Sequence, residues 1–218
     1  MAQDHSPEFD DSVLYQWGSE ELVIAHQQKF VRYFIGAPGK VLEIGCGRGT
    51  MLGLLGRAGV ESYGLDLSPS AVEACRAKGY EATHGEALSH LRAAAPGSLG
   101  GIFCAHVVEH LPPTDAMTLI AQAYRVLNGG GRIVFVTPNA KDLRTTERFW
   151  LDPTHVRPYP RKLLEFMLRQ QGFGPVRSST DSEPVGNPLE WLAKKFLHVW
   201  FMGYLFTGDL IVVAEKKR

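Results

Sequence analysis

From about residue 40 onward the chain alternates short apolar runs with segments whose apolar residues recur every three to four positions. That alternation predicts a mostly parallel sheet, because parallel neighbours need a crossover helix between them. Val41-Leu42-Glu43-Ile44 reads as the first strand, followed by a glycine-rich turn and a helix through Met51, Leu52, Leu54 and Leu55. Glu61–Asp66 reads as the second strand. Ser68 then offers an N-cap hydroxyl, Pro69 a preset first helical φ, and Gly79 a C-terminal stop. Tyr80–His84, Gly101–Ala105 and Arg132–Val136 read as further strands, the last entered through the turn Gly129-Gly130-Gly131. A helix is expected from near Pro160 to Gly172, and Asp209–Ala214 as the final strand.

Two regions fall outside this alternation. Ser19 can cap a helix from Glu20 to about Phe34, with Leu22, Val23, Phe30, Val31 and Phe34 as its apolar stripe. Such a helix is expected to pack on the sheet edge. The stretch Ser182–Thr207 carries six aromatic residues between Trp191 and Phe206 and reads as an inserted helix. Core packing, an acceptor lid, a homodimer face and a membrane-surface helix are all open to it, the last because Lys194 and Lys195 lie among the aromatics. The whole reads as a single domain: a helical cap (1–37), a ligand-binding core (38–181), the aromatic insertion (182–207) and the last strand (208–218).

Composition narrows the class. With 218 residues, 44% hydrophobic and 21% charged, the chain suits one sizeable α/β domain and excludes disorder, collagen and coiled coil as global readings. Lys+Arg and Asp+Glu both number 23, so the basic excess of a nucleic-acid binder is missing and no nucleic-acid partner is expected. Cys46, Cys75 and Cys104 are too few and odd in number for a disulfide framework, which points to reduced thiols and a cytoplasmic setting. The polar N-terminus lacks a signal-peptide core. The longest apolar stretch, Phe196–Phe206, is too short for a transmembrane segment.

The chemistry concentrates at Glu43-Ile44-Gly45-Cys46-Gly47-Arg48-Gly49, between the first strand and first helix. Glycines there let backbone approach a ligand closely. Asp66 closes the second strand about 20 residues on, where a carboxylate can accept both hydroxyls of a ribose. The glycines run Gly-x-Gly-x-Gly rather than Gly-x-Gly-x-x-Gly. An acid at Glu43 opposes a pyrophosphate but suits the ammonium of a methionine moiety. Spacing and charge together favour a sulfonium nucleoside over a dinucleotide.

At these residues the chain resembles the class I S-adenosylmethionine-dependent methyltransferases, over about residues 38 to 180 plus the final strand. The resemblance implies a Rossmann-like, seven-stranded, mostly parallel sheet with an antiparallel last strand and helices on both faces. It implies S-adenosylmethionine as donor, with Glu43, Gly45, Cys46 and Gly47 at its methionine end and Asp66 with Leu67 at the ribose. Gly85, Glu86 and Ala87 would meet the adenine edge, and Ala105 and His106 would lie beside the transferred methyl. A narrower resemblance rests on Trp17-Gly18-Ser19, Val108 to Pro113, Thr137-Pro138-Asn139 and Phe149 to Pro160. These stretches are similar to methyltransferases of bacterial O-antigen and polysaccharide biosynthesis. They imply O-methylation of a sugar or glycan precursor, although Trp17 stands where relatives often carry Arg. A small-molecule phenol, quinol or amine is the alternative acceptor.

The segment Asp152–Pro160 should overhang the carboxyl edge of the sheet, where ligands of open α/β folds bind. A hydroxyl must lose its proton to attack, and an imidazole can take it at neutral pH, so His155 is the candidate base with Asp152 orienting the ring. His106-Val107-Val108-Glu109-His110 matches an inverted zinc-peptidase string, but it leaves a strand and meets Pro112-Pro113 rather than lying on one helix. Some quinone-pathway methyltransferases resemble it with Glu-x-x-Glu-His, a divalent metal site. Here His106 stands in place of the first Glu, so no metal is assigned and His106 and Glu109 are candidates for acceptor handling.

Overall fold

The computed structural model describes residues 20–181, 188–200 and 208–218. Ser19, the expected cap, and Trp17 lie outside those residues. Seven strands form one sheet in the order β3-β2-β1-β4-β5-β7-β6: β1 Val41–Ile44, β2 Ser62–Asp66, β3 Ala82–His84, β4 Leu99–Ala105, β5 Leu127–Thr137, β6 Val176–Thr180 and β7 Leu210–Glu215. β1 to β5 pair in parallel, and β7 runs antiparallel to both β5 and β6. Central β1 is buried at all four positions, which is why it reads as an unbroken run with Glu43 as its only polar member.

Helices α2 (Thr50–Arg57), α3 (Pro69–Ala77), α4 (Ala87–Ala93), α5 (Pro113–Val126) and α7 (Arg161–Gln170) flank the sheet, and α6 (Leu143–Leu151) follows β5. Ser68 caps α3 as expected, its hydroxyl accepting from the Ala71 amide. One core cluster joins Ile102, Ile133 and Phe135 to α5 and α7. A second joins Phe103 and Val134 to α2 and the N-terminal segment, and a third gathers Cys46, Leu52, Val72, Cys75 and Ala82.

Three local features differ from the sequence expectation. The N-terminal helix is α1 (Glu20–Gln27) followed by a 3-10 turn over Gln28–Tyr33. Burial begins only at Phe30, whose ring lies 5.5 Å from that of Phe103, with Phe34 at 6.2 Å. The Gly129-Gly130-Gly131 turn falls inside β5, where the register slips from Leu99↔Leu127 to Gly101↔Arg132; glycines let the strand bulge there. Finally, β6 carries the sequence Val-Arg-Ser-Ser-Thr with only Val176 buried, so this edge strand has no apolar alternation to announce it.

Candidate active site

The turn leaving β1 stays tied to β2, since the Gly45 and Cys46 amides both donate to the Leu65 carbonyl. Gly45, Gly47 and Gly49 have φ of 74°, 49° and 77°, the left-handed region that side chains avoid. A Cβ on Gly45 would stand 2.7 Å from Val107 Cγ2, whereas one on Gly47 would meet nothing within 4 Å. The turn is therefore pressed against the end of β4 on one side and open on the other. The Gly47 amide donates to Asp66 Oδ2 (2.8 Å) and the Ser68 amide to Oδ1 (2.9 Å), leaving each oxygen a lone pair for a ribose hydroxyl. Behind the turn, Cys75 Sγ donates to the Gly47 carbonyl and lies 3.8 Å from Cys46 Sγ.

Glu43 lies nearby, 3% exposed, with Oε2 lacking any hydrogen-bond partner among the described residues. Burial first, and the Asp66 charge second, hold its carboxyl well above the usual carboxylate range, against a hydrogen bond from the Leu52 amide. A buried carboxyl with an orphan oxygen near an open glycine turn fits a ligand that brings its own cation, such as an α-ammonium group.

The remaining donor candidates follow the same edge. Leu67 is exposed beside Asp66, and the Gly85 amide donates to the Asp66 carbonyl. Glu86 turns its carboxylate onto the start of α4, accepting from the Leu88 and Ser89 amides, with Ala87 as the first helical residue. Ala105 ends β4, and His106 follows with φ 54°, the one left-handed non-glycine among the described residues.

A second group of candidate residues is built on a 3-10 turn over Val108–His110. Glu109 is fully buried, and its Oε2 accepts from Thr137 Oγ1 at 3.0 Å. His106 spans two carboxylates, with Nδ1 3.4 Å from Glu109 Oε1 and Nε2 3.4 Å from Asp209 Oδ2. Burial alone would depress the His106 pKa, but those carboxylates outweigh it and raise the value to about 10. His106 is thus held as a cation.

The segment after α6 is fastened onto this turn. Val156 and Arg157 amides donate to the Glu109 carbonyl, and the buried Tyr159 hydroxyl donates to the Leu111 carbonyl at 2.8 Å. Asp152 Oδ1 accepts from the Thr154 amide and, at 2.6 Å, from the Thr154 hydroxyl. That hydroxyl lies 2.9 Å from His110 Nδ1. His155 Nδ1 donates to the Phe149 carbonyl at 2.7 Å, its ring stacks on Phe149, and Nε2 lies 3.6 Å from Asp152 Oδ2. The side chains of His155 and Asp152 are each only 5% exposed, whereas His110 is half-buried, its ring 4.6 Å from that of His155.

Sequence reasoning names Asp152 with His155 and, separately, His106 and Glu109; the structure brings the four into one cluster and adds Asp209, Thr154 and His110 to it. Asp209 was within reach: it precedes an antiparallel strand, so it starts where the parallel strands end. Glu109, His110 and His155 offer one ligand atom each within 4.8 Å of one another.

A family model described as a methyltransferase domain matches residues 21–178. Among solved structures, an S-adenosylmethionine-dependent methyltransferase from Archaeoglobus fulgidus is 30% identical with a TM-score of 0.79, covering 91% of this chain and 95% of that one. Phosphoethanolamine N-methyltransferase 2 of Haemonchus contortus, in complex with S-adenosyl-L-methionine, shares the fold at 13% identity and TM-score 0.66, covering 95% of this chain and 60% of that one. Among curated proteins, ubiquinone biosynthesis O-methyltransferases match: that of Methylococcus capsulatus is 32% identical over 108 residues, 46% of this chain and 44% of the relative. That of Xanthomonas oryzae is 30% identical over 108 residues, 47% and 44% respectively. The match thus spans less than half the length of these curated relatives. On the extent of the family match, and with the sheet order and donor-side geometry above, the chain belongs to the class I S-adenosylmethionine-dependent methyltransferases.

Proposed function

We propose that this chain transfers a methyl group from S-adenosylmethionine to the hydroxyl of a small aromatic acceptor, a phenol or quinol. The observation that carries the reading is the match to ubiquinone biosynthesis O-methyltransferases at 30–32% identity over 108 residues. The glycan acceptor suggested by the Phe149–Pro160 stretch has no counterpart among those relatives, so the small-molecule alternative takes its place.

In this reading Glu43 meets the donor's ammonium, the Gly45-Cys46-Gly47 backbone seats its methionine end, and Asp66 takes the ribose hydroxyls beside Leu67. Gly85, Glu86 and Ala87 border the adenine, and Ala105 and His106 border the transferred methyl. The donor supplies an electrophilic methyl on sulfur; the protein supplies position, exclusion of water and a place for the acceptor's proton. Asp152 and His155 belong to the acceptor side, with Glu109 behind them.

An apolar acceptor also suits α8 (Pro188–Trp200), on which Leu192, Phe196, Val199 and Trp200 are exposed. No described helix is long and apolar enough to cross a membrane. An exposed apolar helix of this kind supports attachment at a membrane surface, where a lipid-linked quinol resides.

The test is transfer of labelled methyl from S-adenosylmethionine to a panel of phenols, catechols and quinols set beside sugars and amines. Label on the aromatic hydroxyls is expected. Label on sugars alone would restore the glycan reading, and label on amines alone would move the acceptor class to nitrogen.

A further inference from the structure

The acceptor-side hydrogen bonds specify where one proton sits. Thr154 Oγ1 donates its single hydrogen to Asp152 Oδ1 at 2.6 Å, so toward His110 Nδ1, 2.9 Å away, it can only accept. Nδ1 must therefore carry the ring's hydrogen, and the neutral imidazole is left with an unprotonated Nε2. The carboxylate beyond Thr154 is itself fixed, since the Thr154 amide also donates to Asp152 Oδ1 and the side chain is 5% exposed. Asp152, Thr154 and His110 thus form a relay that orients one imidazole and sets its tautomer, as an acid does for a catalytic histidine.

His155 lacks this freedom. Its Nδ1 is spent on the Phe149 carbonyl, its Nε2 faces Asp152, and its ring is enclosed between Phe149 and His110. His106 is clamped between two carboxylates. His110 is half-buried, its tautomer is fixed by Thr154, and the carboxylate that supports it, Asp152, acts through Thr154 rather than occupying a ring nitrogen. It lies on the turn that begins at Val107, the residue packed against Gly45 of the donor turn.

We propose that His110 is the general base of methyl transfer, with Thr154 and Asp152 as its positioning residues. The proposal rests on the O-methyl-transfer reading above. In the step, His110 Nε2 takes the acceptor's hydroxyl proton as the oxygen forms its bond to the methyl carbon. The carbon–sulfur bond breaks with its electron pair left on sulfur, giving S-adenosylhomocysteine, and the imidazolium passes its proton to water. The charge environment suits a base that is neutral before reaction. Burial depresses the His110 pKa, Glu109 raises it, His155 depresses it, and Asp152 with the Thr154 backbone raises it, for a net lowering.

The test compares wild type, His110→Gln and Thr154→Val on two acceptors of different acidity, catechol and 4-nitrocatechol, with S-adenosylhomocysteine affinity measured by calorimetry for each. A base matters for the weakly acidic catechol and little for an acceptor that is already ionised. His110→Gln should lower kcat on catechol by about 100-fold or more, lower it far less on 4-nitrocatechol, and lose the acid limb of the catechol pH profile. Donor-product affinity should be unchanged. Thr154→Val, which keeps the imidazole but removes its acceptor, should lower kcat on catechol several-fold and shift the acid limb, with the nitro acceptor spared. Equal losses on both acceptors, or no loss in either variant, would overturn the base assignment. If His110→Gln does not bind S-adenosylhomocysteine, Thr154→Val decides alone by the same comparison. Failure of the wild type to methylate any phenol or quinol would instead overturn the underlying O-methyl-transfer reading.

Discussion

His106 Nε2 and Asp209 Oδ2 lie 3.4 Å apart, joining the residue that follows β4 to the one that precedes β7. The other ring nitrogen faces Glu109, so one imidazole ties two strand ends and the 3-10 turn together. Its left-handed φ of 54° costs about 1–2 kcal/mol, which the surrounding contacts must offset.

This pairing makes stability depend on pH in a defined direction. The folded pKa of His106 is raised to about 10, against about 6.5 in an unfolded chain. The stabilisation is therefore fully present below about pH 6.5 and is lost as pH rises toward about 10. Asp209→Asn should cost about 1–3 kcal/mol at pH 6.5–7 and almost nothing above pH 10. Urea unfolding at both pH values checks it; a cost that does not shrink with pH would show that the pair is not ionic.

The donor half of this architecture is legible in the sequence because each feature there is local. Glu43, the three glycines and Asp66 sit at strand ends, and strand ends follow from where apolar runs stop. The acceptor half depends on contacts over long separations: Asp209 meets His106, and Thr154 meets His110. No periodicity encodes those meetings. Asp152 and His155 are recognisable from their loop, but which imidazole is enclosed depends on how Phe149 and Glu109 hold that loop. β6 escapes notice for a related reason, being a polar edge strand recruited by its pairing with β7.

Glu43 supplies a second pH prediction. Its carboxyl is held well above the usual range by burial and by Asp66, so protonation begins at a higher pH than for an exposed acid. An ammonium binds the ionised form, so donor affinity should fall as pH drops through that raised pKa. Glu43→Gln should bind the donor at least about tenfold more weakly at pH 8, the loss of a charge-assisted contact, and show little change down to pH 6. Calorimetric titration of S-adenosylmethionine across this range distinguishes the two proteins. Parallel pH curves would remove Glu43 from ammonium binding.

Two glycine substitutions separate folding from binding. At Gly45 a Cβ meets Val107 at 2.7 Å, so Gly45→Ala combines backbone strain with a clash inside the packed turn. At Gly47 there is open space within 4 Å, so Gly47→Ala pays only the left-handed strain, about 1–2 kcal/mol, and puts a methyl into the cradle. Thermal unfolding should rank Gly45→Ala as the less stable protein. Calorimetry should find donor binding weakened by more than tenfold in Gly47→Ala although it remains folded. Unimpaired donor binding there would place the methionine end elsewhere.

The grouping of Glu109, His110 and His155 within 4.8 Å could be read as a metal site or as the acid–base cluster argued above, and the two predict opposite responses to chelation. Glu109 Oε1 lacks a hydrogen bond among the described residues, but its Oε2 and both imidazole Nδ1 atoms are engaged without a cation. Glu109 accepts from Thr137 and faces His106, and both imidazoles have their Nδ1 hydrogens placed on Thr154 and Phe149. A divalent cation would also sit near a cationic His106, an unfavourable neighbour. Activity on catechol should therefore survive exhaustive dialysis against a chelator, and added zinc should inhibit by occupying the lone pair that His110 uses as a base. Loss of activity on dialysis, restored in proportion to added divalent cation and accompanied by one bound metal per chain, would reassign these three residues as ligands and remove His110 from proton transfer.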